Sequence, residues 1–429
     1  MTIKKIRGTR DLFPLTPYTN LYNNLQLYLI LHNFQEIHTP IFEFESLFTK
    51  NLGISTDIVN KEMYTVSHKH ASIEETQGTM VLRPELTAAM MRAYFENNIQ
   101  NLPTKLFQIG PVFRHERPQK GRYREFFQCS IEIINGLSIG YDLQLLIALD
   151  NFFSIHLKED TFQLEINFLG SITERESYKK ALYNYCIKKK NYFPKQIQEK
   201  LSENSILRIL ENTNEEVIEI LQDAPLIFEY LNQQSIDTWS TITNGLKEQN
   251  ILYKHNTKLV RGLDYYNNLI FEFTSCQLGA QNAFCGGGRY DTLSLNFNNK
   301  IIPSLGAGIG LDRLLILQEL IQNNNNERFF IPILFNNLEI EKNSTCAFVI
   351  QNILVKNNIE TDIYFDKTSL KSALKKAHNE NATGVIILDE ASIQYNTCIV
   401  KNMSKEYHQE VIAINDQFIT YIKYQFNIH

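Results

Sequence analysis

Cations are concentrated in one stretch of this sequence, between Gly110 and Ile133, although the chain has a formal net charge of −5. Arg114 and Glu116 are two residues apart, and this spacing would place both side chains on one face of a strand. An arginine suits a phosphate or carboxylate, whereas a nearby carboxylate can accept a hydrogen bond from an amino group such as that of adenine. The alternative is a solvent-exposed charged hairpin that binds nothing.

The residues that follow supply an aromatic ring, an amide and an acid. Phe126, Gln128 and Glu132 are separated by even spacings, so in a strand they would line one face of the sheet. That face would combine a ring on which a base can stack with polar groups that can read a ligand.

Another arginine, Arg261, lies among apolar residues and is followed closely by Tyr265 and Tyr266. Burying an arginine is costly unless it meets an anion. The anion could be a substrate, or it could be the nearby Asp264 in a purely structural pair.

Two glycine-rich stretches lie further along the chain. Gly286–Gly288 would let the backbone approach a ligand, but the stretch lacks the pattern of a nucleotide-binding loop, and its spacing predicts a tight turn between strands. Gly308 and Gly310 predict a turn that opens a helix with Arg313 in its first turn. Close packing of a strand against that helix is the alternative.

Glu85 and Thr87 follow Pro84 at a predicted helix start, where helix capping is the simplest interpretation. Each of these motifs is weak by itself. Jointly they place arginines, a carboxylate and an aromatic ring on an antiparallel sheet, which suits a nucleoside triphosphate.

The elements that would position these residues can be predicted from periodicity. Leu21, Leu25 and Leu29 have helical spacing, and the extended residues after Pro40 predict that this long helix leads into a strand. Two strand-like runs between residues 106 and 134 predict a long hairpin.

The chain divides by composition into several regions. Residues 1–170 and 258–322 carry the motifs above, residues 171–257 predict a helical insertion, and Gln322–Arg328 predicts a linker. Residues 329–429 alternate between strands and helices, which predicts a small α/β domain. The expected fold class is therefore α/β, with an α+β core.

Composition excludes several classes of protein. The chain is 43% hydrophobic and 21% charged, as in an ordinary globular protein, and no window is long and apolar enough to span a membrane. The first residues do not have the pattern of a secretory signal, so we expect a cytoplasmic protein. Six scattered cysteines favour free thiols over a zinc site or a disulfide framework.

The order of the motifs resembles that of class II aminoacyl-tRNA synthetases. Residues 33–48 are similar to motif 1, residues 113–128 to motif 2 and residues 306–313 to motif 3. The stretches "LVRGLDYYNNLIFEF" and "AFCGGGRYD" resemble two signatures peculiar to the histidyl-tRNA synthetase family. The resemblance implies a homodimer, an antiparallel catalytic sheet flanked by helices, and an anticodon-binding domain in residues 329–429.

The resemblance implies the activation of L-histidine by ATP, with Mg²⁺ on the outer phosphates, and transfer of histidine to tRNA(His). It implies that Arg261 and Arg114 are catalytic. The implied ATP-binding residues are Arg114, Glu116, Arg122, Phe126 and Arg313. The implied histidine-binding residues are Glu85, Thr87, Arg114, Gln128, Glu132, Arg261, Tyr265 and Tyr266.

The loop between the two strands has a different implied role. By the same resemblance, Arg117, Gln119 and Arg124 would contact the acceptor end of the tRNA. The alternative function is that of a catalytically silent paralogue, the regulatory subunit of ATP phosphoribosyltransferase. That paralogue usually lacks the C-terminal domain and degrades the arginine motifs, both of which this sequence retains.

Overall fold

The computed structural model describes residues 3–52, 56, 58–67, 78–99, 103–199, 201–212, 214–261, 265–279, 282–321, 329–336, 340–365, 369–403 and 409–428. The chain forms two compact units, Met1–Asn323 and Asn324–His429. Among the helices of these ranges, we find none with the length and apolar character needed to cross a membrane.

Helices and strands alternate in the first unit. Its helices are α1 (Thr16–Leu31), α2 (Glu45–Leu52), α3 (Thr87–Glu96), α4 (Gly140–His156), α5 (Ile172–Lys188), α6 (Lys195–Gln198), α7 (Glu215–Ile220), α8 (Gln233–Glu248), α9 (Leu295–Asn298) and α10 (Leu311–Ile321). Its strands are β1 (Gln35–Glu36), β2 (Phe42–Phe44), β3 (Thr65–Val66), β4 (Met80–Leu82), β5 (Thr104–Phe113), β6 (Glu125–Ile134), β7 (Gln163–Phe168), β8 (Tyr253–His255), β9 (Asn267–Thr274), β10 (Ala283–Arg289) and β11 (Ser304–Gly310).

A large sheet organises the first unit. Within the described residues it has eight strands in the order β1-β5-β6-β11-β10-β9-β7-β8. The central pairs are antiparallel, whereas the two edge pairs, β1 with β5 and β7 with β8, are parallel. The predicted antiparallel sheet flanked by helices is therefore confirmed.

The hairpin prediction is also confirmed, because β5 and β6 pair in antiparallel register from Thr104 opposite Ile134 to Phe113 opposite Glu125. Alternation along β6 separates two environments. Cys129 and the other odd-numbered residues that follow it face the core made with helices α1, α4 and α10. The even-numbered residues face the opposite side, where the candidate site lies.

The glycine stretches differ from their predictions. Residues 286–288 form no tight turn but belong to strand β10, paired on both sides. A Cβ on Gly287 would collide with the carbonyl oxygen of Gly306 and lie 2.8 Å from the Cα of Ala307. Glycine is therefore required by the close approach of neighbouring strands, which spacing along one strand does not report.

The second stretch also differs in part. Its glycines form strand β11, which runs directly into α10 without an intervening turn. Arg313 is the third residue of that helix, as predicted.

The segment predicted to be a helical insertion contains helices α5 to α8. Tyr178 and Leu182 of α5 pack with Val217 of α7 in a hydrophobic cluster of their own. Strand β8, near the end of this segment, pairs with β7 and so belongs to the large sheet.

The second unit is a small α/β fold. Its elements are β12 (Ile333–Phe335), α11 (Ile340–Lys356), α12 (Leu370–Asn379), β13 (Gly384–Leu388), α13 (Glu390–Tyr395), β14 (Thr397–Asn402), β15 (Gln409–Ala413) and α14 (Phe418–Phe426). The strands follow the order β12-β13-β14-β15, and β12 with β13 is a parallel pair. The stretch "ETDIYF", predicted to be a strand, contributes only isolated bridges at Glu360 and Ile363.

The packing of β10 gives a prediction. Gly287→Ala should lower the free energy of unfolding of the first unit by about 1–3 kcal/mol, because the added Cβ meets backbone that cannot rotate away. Gly310→Ala is the matched control, since a Cβ there would lie 3.5 Å from the nearest atom, in ordinary contact. Thermal unfolding followed by circular dichroism measures both, and equal melting temperatures for the two variants would contradict the prediction.

Candidate active site

Long polar side chains lie across the open face of the large sheet because glycines stand opposite them. Glu132 is paired in register with Gly306, and Gln128 with Gly310. A Cβ on Gly306 would collide with the Glu132 carboxyl group, and one on Gly308 would collide with the Gln128 amide. The glycines therefore provide the space in which these side chains lie.

Gly286 of β10 makes room for Arg261 in the same way. A Cβ on Gly286 would lie 2.8 Å from the guanidinium carbon of Arg261 and collide with one of its nitrogens. The predicted tight turn is thus replaced by a strand whose glycine makes room for an arginine.

Glu132 is fully buried, and two hydroxyl groups donate hydrogen bonds to it. Thr87 Oγ1 donates to Oε1 at 2.7 Å, and the hydroxyl of Tyr290 donates to Oε2. Burial raises the pKa of Glu132 from its ordinary value of 4.5 to about 8, although both hydrogen bonds oppose that rise. The carboxyl group is therefore mostly protonated at neutral pH.

Glu85 caps helix α3. Its two carboxyl oxygens accept hydrogen bonds from the backbone N–H groups of Thr87 and Ala88, both at 2.8 Å. Burial raises the pKa of Glu85, which these hydrogen bonds and the nearby Arg114 partly offset. The capping interpretation is thus confirmed. Each oxygen retains a second lone pair, so capping is compatible with a further contact.

Arg261 forms an ion pair with Glu272. Asp264, the partner considered from sequence, lies outside the described residues. The guanidinium of Arg261 lies 5.6 Å from the ring centre of Tyr266, whose ring in turn lies 4.6 Å from that of Tyr265. Burial lowers the pKa of Arg261, but Glu272 more than offsets this, so the group stays charged.

Three arginines converge near the hairpin. The pKa of Arg313 is lowered, first by burial and then by the positive charges of Arg122 and Arg114. The guanidinium of Arg114 also lies 5.3 Å from the ring centre of Phe126, and its Nε donates to the carbonyl of Pro84 at 2.8 Å. An anion placed among these cations would relieve their repulsion.

The strand geometry predicted for Arg114 and Glu116 is wrong. Both residues lie beyond the end of β5, and the N–H of Glu116 donates to the carbonyl of Arg114 at 2.8 Å, so the chain turns here. Strand alternation cannot then place their side chains on one face. Glu116 instead forms an ion pair with Arg122, a contact of charges without the alignment of a hydrogen bond.

The residues of the hairpin loop differ in their exposure to solvent. Arg117 and Gln119 are exposed. Arg124 is partly buried, and its guanidinium donates to the carbonyls of Glu116 at 3.3 Å and Arg7 at 3.2 Å.

The predicted histidine-binding residues are brought together on one side of the sheet. Tyr266 interacts electrostatically with Glu132, Glu85 and Arg261. Arg114 lies near enough for its positive charge to offset part of the rise that burial causes in the pKa of Glu85. A cavity of about 270 Å³ lies elsewhere, beside Arg289, and contains none of the predicted site residues.

Three residues that support this side of the sheet were not singled out from sequence. Tyr290 donates to Glu132, and Glu272 balances the charge of Arg261. Arg83 is fully buried and donates to the carbonyls of Pro111 at 2.9 Å and Thr39 at 2.7 Å. The position of Glu272, an acid within an apolar strand, was a signal that could have identified it.

Comparisons with known proteins agree over nearly the whole chain. The family described as histidyl-tRNA synthetase matches residues 12–314. A histidine–tRNA ligase of Thermodesulfovibrio yellowstonii is 36% identical over 97% of this chain and 97% of its own. The chloroplastic histidine–tRNA ligase of Gracilaria tenuistipitata var. liui is 35% identical, covering 94% of each chain. The crystal structure of apo S. aureus histidyl-tRNA synthetase has a TM-score of 0.76 and 28% identity, covering 98% of this chain and 100% of that chain.

Burial of Glu132 predicts a pH-dependent stability. Because its pKa is raised in the folded state, its contribution to stability is complete below about 4.5 and is lost as the pH rises through about 8. The Glu132→Gln variant has no carboxyl group to ionise, so it should not lose this stability as the pH rises. The melting temperature of the variant minus that of the wild type should therefore be larger at about pH 9 than at about pH 6.

Glu125→Gln is the matched control, because Glu125 is an exposed acid on the same strand. Melting temperatures measured across this pH range test the prediction. A difference between Glu132→Gln and the wild type that does not change with pH would contradict it.

Proposed function

Because the chain belongs to the histidyl-tRNA synthetase family, we propose that it is a histidine–tRNA ligase. In the first step an oxygen of the histidine carboxylate attacks the α-phosphorus of ATP, and the bond from that phosphorus to the pyrophosphate breaks. In the second step the histidyl group passes from the adenylate to the 3′ end of tRNA(His), and AMP leaves. The observation that carries the proposal is the juxtaposition of converging arginines with the buried Glu132 and Arg261.

ATP would be bound by the residues around the hairpin. Arg114 would contact the α-phosphate, Phe126 would stack on the adenine ring, and Arg313 would contact the far end of the triphosphate. Arg122 would contribute a further charge, and Glu116 would accept from the adenine amino group. The mutual repulsion of the arginines supports this assignment, because bound phosphate would neutralise it.

Arg261 would contact both the α-phosphate and the carboxylate of histidine. Its Nε is buried and has no hydrogen-bond partner among the described residues, so it has a donor to offer. A cation held at this point would stabilise the charge that develops as the phosphorus is attacked. Positioning two substrates against one group also lowers the entropic part of the barrier.

The α-amino group of histidine would be bound by Glu85, Thr87 and Gln128. Gln128 Oε1 is buried and lacks a hydrogen-bond partner in the described part of the chain, so it can accept from an ammonium group. Glu85 has lone pairs beyond those used in capping.

The imidazole of histidine would lie between Glu132 and Tyr266, with Tyr265 shaping the pocket. A carboxyl group and a phenol at fixed positions match the two ring nitrogens. An amino acid without those nitrogens would leave buried polar groups unpaired, which disfavours its binding. Thr87 and Tyr290 hold the Glu132 carboxyl group from both sides and so fix its orientation.

The exposed loop residues Arg117 and Gln119 would contact the acceptor end of tRNA(His), and Arg124 remains a predicted contact there. Mg²⁺ would enter as part of the substrate, bound to the outer phosphates of ATP. In the described ranges, no cluster of three or more His, Cys, Asp or Glu side chains could hold a metal ion.

Exposed apolar side chains on α1 and on the adjoining segment that resembles motif 1 support a homodimer, and we propose that the protein acts in the cytoplasm. Leu27, Ile30 and Leu31 of α1 are 51–76% exposed, and Phe42 and Phe44 of β2 are 57% and 40% exposed. Apolar side chains concentrated in this way are typical of a surface covered by a partner. The described second unit and the retained arginines favour the ligase over the regulatory-subunit alternative.

The proposed function predicts histidine-dependent exchange of labelled pyrophosphate into ATP. Exchange should be absent without an amino acid and should remain at background with each of the other standard amino acids. Folded protein that shows no exchange with histidine would refute the ligase assignment.

The role of Arg261 gives a separate prediction. Arg261→Ala should reduce exchange by at least about a hundredfold, because it removes charge stabilisation made in the transition state. Circular dichroism should show an intact fold. Lys254→Ala is the matched control, since it breaks an ion pair with Glu165 (3.0 Å) outside the site.

A second variant separates catalysis from the loss of the partner of Glu272. Arg261→Ala combined with Glu272→Gln leaves no unpaired carboxylate, yet exchange should stay as low as in Arg261→Ala alone. Recovery of exchange in the double variant would show that Arg261 acts only by neutralising Glu272.

A further inference from the structure

The segment Ile3–Arg10 lies against the hairpin loop. The N–H of Arg124 donates to the carbonyl of Gly8 at 2.8 Å, and its side chain donates to the carbonyl of Arg7 at 3.2 Å. Gly8 has a φ of +91°, and a Cβ there would lie 2.8 Å from Pro118 Cγ. Only glycine therefore allows the segment to approach the loop this closely.

A second contact fixes the same segment to helix α10. Arg10 forms an ion pair with Asp312, whose other oxygen accepts from the N–H of Phe127 at 2.7 Å. The guanidinium of Arg10 also lies 4.3 Å from the ring centre of Tyr123. The segment is thus attached both to the hairpin and to the residue that precedes Arg313.

Cations dominate the exposed surface of this region. Lys4, Lys5 and Arg7 are exposed on the segment, next to the exposed Arg117 and Lys120 of the loop. The nearby acids offset this only in part. Asp11 pairs with Lys5 at 3.9 Å, Glu116 is occupied by Arg122, and Glu125 is the exposed acid at the base of the hairpin. This concentration is local, because the whole chain has a net charge of −5.

We propose that Lys4, Lys5 and Arg7 extend the RNA-binding surface of the hairpin loop and contact backbone phosphates of the tRNA acceptor stem. The proposal rests on the proposed function, which brings the acceptor end to this loop. Exposed lysines and arginines on a convex surface suit an extended polyanion, whereas the partly buried arginines of the sheet suit ATP. Contacts of this kind contribute affinity and a dependence on salt, without reading sequence.

Arg124 acquires a positioning role in this arrangement. Its guanidinium is engaged by carbonyl groups of Glu116 and Arg7, so it holds the segment Ile3–Arg10 beside the loop. The cations of the segment are thereby kept on the same surface as Arg117.

The test is the triple variant Lys4→Ala, Lys5→Ala, Arg7→Ala in the full chain. A tRNA(His) transcript is titrated against it at several salt concentrations between about 50 mM and about 200 mM. We expect dissociation constants about a hundredfold higher at the lowest salt, narrowing to a few-fold at the highest, because three lost phosphate contacts make the salt dependence of log K smaller in magnitude by about 2–3. Histidine-dependent pyrophosphate exchange, which needs no tRNA, should be unchanged.

The matched control is Lys50→Ala, Lys158→Ala, Lys300→Ala, which removes the same charge from exposed lysines of the same unit. It should bind the transcript as the wild type does. Wild-type affinity and salt dependence in the first triple variant would overturn the proposal, as would equal weakening in both triple variants. If the wild type itself shows no histidine-dependent exchange, the proposed function is refuted. Failure of this proposal and failure of the proposed function are therefore distinguishable.

Discussion

The active-site face of the sheet depends on the pairing of long polar side chains with glycines on the adjacent strands. Glu132 lies over Gly306, and Arg261 lies over Gly286. In each case the polar group occupies the space that a Cβ on the glycine would need. A Cβ at either glycine would displace a carboxyl or guanidinium group whose position is set by its hydrogen bonds. The three polar functions of the site, namely an acid, a cation and an amide, can therefore lie on one sheet only because β10 and β11 lack side chains there.

Charge is distributed on this face in two ways. Some cations are balanced within the protein, as Arg261 is by Glu272 and Arg122 by Glu116. Arg313 is not balanced in this way, because burial and then the positive charges of Arg122 and Arg114 lower its pKa. A site built for a polyanion needs both features, because balance keeps the fold stable while residual repulsion favours the bound anion.

The hairpin carries residues of different environments only a few positions apart. Arg114, just beyond the end of β5, lies over the ring of Phe126, whereas Arg117 is exposed in the loop. Arg124, further along, is engaged by backbone carbonyls of the segment Ile3–Arg10. One short stretch thus joins the sheet to an exposed cationic surface, and its arginines differ because their surroundings differ.

Sequence by itself determined the hairpin, the helix that begins near Gly310, the small α/β unit and the family, because periodicity and motif order are local or ordered along the chain. The sequence-based prediction was wrong for Gly286–Gly288, which form a strand and not a turn. It was also wrong for Glu116, which lies beyond the end of β5 and not in a strand. It also did not identify Tyr290 or Glu272. Only the tertiary structure decided these, because a glycine's purpose, a carboxyl group's donors and an arginine's partner are set by strands that are distant in sequence and adjacent in space.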